Sequence, residues 1–122
     1  MRPATASAKS CPVTRYGYTG YYLCGISTVA DNPWFATPWA KETFVIGTDR
    51  AMWHIWPGSG GWQSMGGYFT PEEGSDPGQE PQPGYTRSGH RSVDATAYGH
   101  VWCKWLGRSG WSSWIQDPWN CP

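Results

Sequence analysis

The sequence predicts a small all-β domain braced by disulfides, and three observations carry that prediction. A tryptophan-bearing motif recurs at a fixed offset, sixteen glycines and eleven prolines leave no dozen residues free for a periodic helix, and four cysteines form an even set with no Cys-x-x-Cys pair. At 122 residues the chain is one domain by size. Ten Trp, seven Tyr and three Phe outnumber the eleven Leu, Ile and Val, so rings must supply most of the buried area.

Residues 1–10 are small and polar and read as a flexible arm ahead of a single β domain at 11–122. The arm is either a native start or the stretch behind a removed signal peptide. The cysteine set suits an oxidising compartment and favours the second, hence a secreted protein. Within residues 11–43, the run Tyr16-Gly17-Tyr18-Thr19-Gly20-Tyr21-Tyr22-Leu23-Cys24 reads as a Tyr-rich strand or hairpin. Pro33 and Pro38 precede Trp34 and Trp39, which suits an edge strand or an irregular connection.

The repeat follows. Trp53, Trp56 and Trp62 recur 49 residues later as Trp102, Trp105 and Trp111, and Gly58, Gly61 and Ser64 match Gly107, Gly110 and Ser113 at the same offset. A period of this length is what propeller blades show. Repeat 1, residues 44–70, reads as a strand at 44–46, a turn at 47–50, a strand at 51–56, a Gly-rich turn at 57–61 and a strand from Trp62. Repeat 2, residues 93–121, follows the same plan. Strand alternation puts Met52, His54 and Trp56 on one face, matching Val101, Cys103 and Trp105, and Trp53 and Ile55 on the other, matching Trp102 and Lys104. Between the repeats, residues 71–92 read as an acidic Pro/Gly loop and linker. Its first fourteen residues hold four acids, no bases and seven Pro or Gly, and cannot build a core.

Residues 44–56, Phe-Val-Ile-Gly-Thr-Asp-Arg-Ala-Met-Trp-His-Ile-Trp, with the closing Gly61-Trp62-Gln63-Ser64-Met65-Gly66-Gly67, resemble the blade repeat of the Photorhabdus-type β-propeller lectins and related bacterial repeats. The second copy keeps Trp102, Trp105, Trp111 and Ser113, while Ala97-Tyr98-Gly99 stands in its turn and Cys103 replaces the histidine. The resemblance implies blade-like sheets and sugars held in aromatic pockets between them. Propellers need about four to eight blades. Two repeats therefore imply a compact domain that closes differently, or a ring completed by further copies or by a partner.

Four cysteines allow three pairings. Cys11 with Cys24 and Cys103 with Cys121 is the first choice, because both close short loops, and a pairing of Cys24 with Cys121 stays open. No metal site is expected, since His100 and Cys103 would face opposite sides of a strand. No cofactor motif or catalytic residue is expected either: there is no Gly-x-Ser-x-Gly elbow, no phosphate-binding Gly loop and no triad-like arrangement of Ser, His and Asp. Zero formal net charge excludes steering to nucleic acid, and the short apolar runs exclude insertion of a membrane helix.

Aromatic recognition remains. Trp53 and Trp102, with Asp49, His54 and Tyr98, are the candidate ligand-binding residues, because an indole face stacks on the C–H face of a sugar while polar neighbours bond its hydroxyls. Rings filling the core in place of aliphatics are the alternative for each. Trp34, Trp39, Trp114 and Trp119 fall outside the matched register and are candidate anchors for a protein partner, together with the loop acids Glu72, Glu73, Asp76 and Glu80. Two functions follow. The first is a secreted, non-catalytic adaptor or assembly subunit of a bacterial extracellular complex, such as one joining lectin and toxin components. The second is a secreted lectin-like module that binds a cell-surface glycan.

Overall fold

Tyr16 and Gly17 both take positive φ, 52° and 86°. Two such residues in succession make the tight turn whose twist matches paired strands. Around it β1 (Lys9–Arg15) and β2 (Tyr18–Cys24) pair antiparallel over seven residues each, from Arg15 opposite Tyr18 to Lys9 opposite Cys24. Lys9 and Ser10 thus belong to a strand and not to the arm. The computed structural model describes residues 8–32, 34, 40–74, 77–116 and 121–122, so Trp39, Asp76, Trp119 and residues 1–7 lie outside the described residues.

The first sheet is the antiparallel meander β3 (Ala30–Asp31), β4 (Thr43–Ile46), β5 (Met52–Ile55) and β6 (Gln63–Gly66). The second runs β7 (Gln82–Tyr85), β8 (Arg91–Ala97) and β9 (His100–Gly107), with β10 (Gly110–Trp111) and β11 (Ile115–Gln116) sharing the far edge of β9. Each repeat therefore forms the centre of an antiparallel sheet of four ranks, with β3 and β7 joining from outside the repeats. Apart from the one-turn 3₁₀ helix Pro71–Glu73, the described residues form strands, turns and irregular connections.

The segment read as a loop and linker at 71–92 is partly built into the fold. It holds the 3₁₀ turn, all of β7 and the start of β8. Pro83 and Gly84 hid β7, yet an edge strand tolerates proline because one side of it has no ladder to feed. Two of the acids proposed to meet a partner are held by the chain itself. Glu80 is 4% exposed and its carboxylate accepts bonds from the amide and hydroxyl of Thr96, while Glu72 forms a bidentate pair with Arg50 at 2.8 and 2.9 Å. Glu73 is exposed and accepts a bond from the Thr70 hydroxyl.

Strand pairing sorts the side chains into layers. Phe44 opposes His54 and Ile46 opposes Met52, so these four share one face of the first sheet, and Phe44 and His54 both meet Trp111 of the second. Val45 opposes Trp53 on the other face, which turns toward Gly20 and Tyr21 of the hairpin. The order is hairpin, first sheet, second sheet, and the core runs through Leu23, Phe44, Ile46, Met52, Val93 and Ala95. Trp34, expected as an anchor for a partner, sits in this interior at 2% exposure, where its ring meets the edge of Phe44. Trp114 is half-buried, packs on Phe69 at 4.7 Å and donates its Nε1–H to the Met65 carbonyl.

The fixed offset relates β5 to β9 and slips by one between β4 and β8. Val45 opposes Trp53, but Ala95, not Asp94, opposes Trp102. The cause is the turn: residues 47–51 join β4 to β5, whereas Tyr98 and Gly99, with φ of 52° and 80°, close a tighter hairpin between β8 and β9. Asp94 and Thr96 consequently occupy the places that Phe44 and Ile46 hold in the first sheet. The outer face of the second sheet is polar, and it is covered by the chain's own segments. Glu80 bonds Thr96, Gly74 lies so close that an added Cβ would stand 2.7 Å from the Thr96 hydroxyl, and Cys103 is bridged to Cys121.

Both disulfides have the first-choice pairing, Cys11–Cys24 and Cys103–Cys121, with Cα separations of 5.8 and 6.4 Å. They fit an oxidising compartment. No helix among the described residues is long and apolar enough to cross a membrane.

Arg15 of β1 grips Asp31 of β3 through two bonds of 2.8 Å and ties the hairpin to the first sheet. Those bonds hold the Asp31 carboxyl below its ordinary 3.8, helped by Thr43 and opposed by partial burial. A depressed carboxyl stabilises the fold above its ordinary pKa and loses that contribution as pH falls through the lower, folded value. Stability is therefore expected to drop as pH falls below about 4, with Asp31→Asn removing part of the drop. Solvent screening keeps this part under about 1 kcal/mol, readable in urea midpoints across the acid range.

Candidate functional site

Clefts open between the layers among the described residues, and three of them divide the candidate ligand-binding residues. The first lies between the hairpin and the first sheet, with a cavity volume of about 360 Å³. Trp53 and Trp62 supply ring surface, Tyr21 and Thr19 come from β2, and Asp49 supplies a carboxylate. Asp49 Oδ1 accepts the Trp53 Nε1–H and the Ala51 amide, both at 3.0 Å. Its Oδ2 has no partner among the described residues. Gly47 forms the floor, where an added Cβ would stand 2.7 Å from the Trp53 ring and 2.9 Å from Asp49 Oδ1. Only glycine leaves that approach open.

The second cleft is the counterpart of the first, one layer further on. Ala97, Tyr98 and Trp102 stand where Gly47, Asp49 and Trp53 stand, and the first sheet replaces the hairpin as the opposing wall through Tyr68 and Phe69. Its volume is about 390 Å³. Tyr98 in place of the aspartate makes it apolar. The Tyr98 ring, 65% exposed, stacks on Tyr68 at 6.2 Å, and Trp102 Nε1 is buried without a partner among the described residues.

The third cleft, about 720 Å³, lies at the opposite end of the contact between the sheets. His54 is 7% exposed, and its Nδ1 lies 2.6 Å from Glu42 Oε2, while Glu42 Oε1 accepts the Trp34 Nε1–H at 2.9 Å. The His54 ring is flanked by Phe44 and by Trp56, whose centroid is 4.8 Å away. Trp111 and Arg91 form the facing wall. Ser64 also lines this cleft, but it opposes Trp53 and its hydroxyl accepts the Gly66 amide, so it makes no bond with His54.

No protein-family model matches this chain, and none of the curated proteins matches it.

The proposed cast of Trp53, Trp102, Asp49, His54 and Tyr98 thus does not form one site. Trp53 and Asp49 share the first cleft, Tyr98 and Trp102 share the second, and His54 lies at the back of the third. Sequence reasoning missed Trp62, Trp111, Glu42 and Arg91. For Glu42 and Arg91 a signal was present: each stands two residues before a buried strand residue, Phe44 and Val93, and strand parity places it on the same face. Among the described residues one group of metal-ligand type, Asp94 with Cys103 and Cys121, gathers at the outer face of the second sheet, and its sulfurs are joined in the disulfide and offer no thiolate.

Proposed function

We propose that this chain is an extracellular, non-catalytic carbohydrate-binding module that takes a sugar residue in the cleft between the hairpin and the first sheet. The observation that carries the reading is the pairing of two half-buried indoles, Trp53 and Trp62, with a carboxylate whose Oδ2 is uncommitted. Ring faces favour the C–H face of a pyranose, and a carboxylate accepts from hydroxyls with charge-assisted strength. The resemblance to propeller lectin repeats supports the same reading, as does a cleft within the usual few hundred Å³ of small-ligand sites.

The adaptor reading keeps one observation in its favour. Tyr16, Tyr18 and Tyr21 on the hairpin are 37%, 45% and 58% exposed, and tyrosine is enriched where proteins meet. Its other support, a fold that finishes itself on a partner, loses ground at the second sheet, whose outer face already carries segments of the chain.

A glycan array followed by calorimetry on the strongest hit tests the proposal. Binding is expected, with a shift in tryptophan fluorescence, and Asp49→Asn is expected to weaken it at least tenfold without lowering the melting temperature. An array with no hits, or a hit untouched by Asp49→Asn, overturns the assignment. Capture of a secreted protein through the tyrosine face, lost on Tyr18→Ser and Tyr21→Ser, would establish the adaptor in its place.

A further inference from the structure

We infer that the cleft between the hairpin and the first sheet selects an amino sugar, a pyranose carrying a primary ammonium, and that Asp49 Oδ2 receives that ammonium. The inference rests on the carbohydrate reading of the same cleft and names the class of sugar it takes.

The donors and acceptors in the cleft point to a cationic donor on the ligand. Trp53 gives its Nε1–H to Asp49 Oδ1 at 3.0 Å, and Trp62 gives its own to the Tyr18 carbonyl at 3.3 Å. An indole nitrogen only donates. With both donors spent, the two rings offer a ligand their π faces and C–H edges. Asp49 Oδ1 is held by two donors, the Trp53 indole and the Ala51 amide, which fixes the carboxylate and leaves Oδ2 as the acceptor for a ligand.

Charge decides which donor suits that oxygen. Asp49 is the one charged residue lining the cleft, and it forms no ion pair among the described residues. Arg50, the next residue, is turned away into its bidentate pair with Glu72. The cleft therefore holds a negative charge with no counterion. A sugar hydroxyl bonds the oxygen without neutralising it, whereas an ammonium forms a shorter, charge-assisted bond and supplies the missing charge. Indole faces attract the same cation. Carboxylate and rings thus favour one ligand group, and acetylating the amine removes both attractions. A lysine side chain brings an ammonium on a flexible stem. The pyranose adds a C–H face for the indoles and hydroxyls for Thr48, which is exposed and has no bonded partner among the described residues. The second cleft is the internal contrast, since Tyr98 in place of the aspartate leaves it without a carboxylate.

Calorimetry at low ionic strength with a chitosan tetramer, a chitin tetramer, cellotetraose and an oligolysine provides the test. The three sugars share one β-1,4-linked backbone and differ at C2 in bearing an ammonium, an acetamide or a hydroxyl. The chitosan tetramer is expected to bind at least tenfold tighter than the other three probes, at one site per chain, and to weaken as salt rises. Asp49→Asn, which keeps Oδ1 as an acceptor, is expected to bind all three sugars alike, and an unchanged thermal melt verifies that it folds. Equal binding of the three tetramers to the unaltered protein, or tighter binding of the acetylated or neutral one, overturns the amine while the carbohydrate reading stands. A preference that survives Asp49→Asn overturns the seat at Asp49. Oligolysine binding as tightly as the chitosan tetramer overturns the saccharide. With the three tetramers placed on the glycan array as well, silence there and in calorimetry removes both readings.

Discussion

Glu42→Ala is expected to destabilise the fold by about 3–5 kcal/mol, the range found when a buried pair loses one partner. Glu42 joins three parts of the interior. Its Oε1 accepts from Trp34, its Oε2 meets His54 on β5, and its backbone carbonyl accepts the Asn32 amide. Alanine keeps the last and leaves the indole N–H and the imidazole without an acceptor in a site almost closed to water. Such orphaned groups cost about 1–3 kcal/mol each. Glu42→Gln keeps one acceptor and is expected to lose roughly half as much. Urea denaturation of the three proteins checks the series, and a Glu42→Ala loss below about 1 kcal/mol would show that Trp34 and His54 find other partners.

Removing the C-terminal bridge with Cys103→Ala and Cys121→Ala is expected to cost about 2–5 kcal/mol. The bridge closes a loop of 18 residues and pins Cys121 onto the outer face of the second sheet. Two bonds reinforce it, from the Ser88 amide and hydroxyl to the Pro122 carbonyl at 2.9 and 3.0 Å. With the bridge gone, that face is held by far less. Hydrogen exchange should rise in β8 and β9 while the first sheet stays protected. The matched pair Cys11→Ala and Cys24→Ala provides the contrast, because seven backbone pairs and the Arg15–Asp31 contact still hold the hairpin. Uniform loss of protection in both double variants would mean that the layers unfold as one unit.

Much of the fold was legible in the residues. The matched tryptophans located β5 and β9 and sorted their faces correctly, because alternation is a local property that tertiary packing had no reason to override. The Tyr-rich run from Tyr16 to Cys24 marked β2 but not its partner β1, and short loop closure favoured the observed disulfides. The register of β8 was not legible: it depends on the two-residue turn at Tyr98-Gly99, and a fixed offset between tryptophans cannot report a residue dropped from a turn that lies outside them. β3, at two residues, and β7, with its Pro83, carry too little alternation to be seen. Trp34 was hidden by its preceding proline, which suggested an edge although the ring lies at the centre. The layering that assigns the candidate ligand-binding residues to three separate clefts appears only once the strands are paired.

The order of the layers has a kinetic consequence. Among the described residues the sheets pair strands that are neighbours along the chain, except that β11 reaches past the two-residue β10 to pair with β9, and none threads a strand from one repeat into the other. Search distances for the growing chain are accordingly short, and low sequence separation between partners speeds folding. Among β proteins of this length, this one should collapse sheet by sheet, with little opportunity for the two halves to exchange strands.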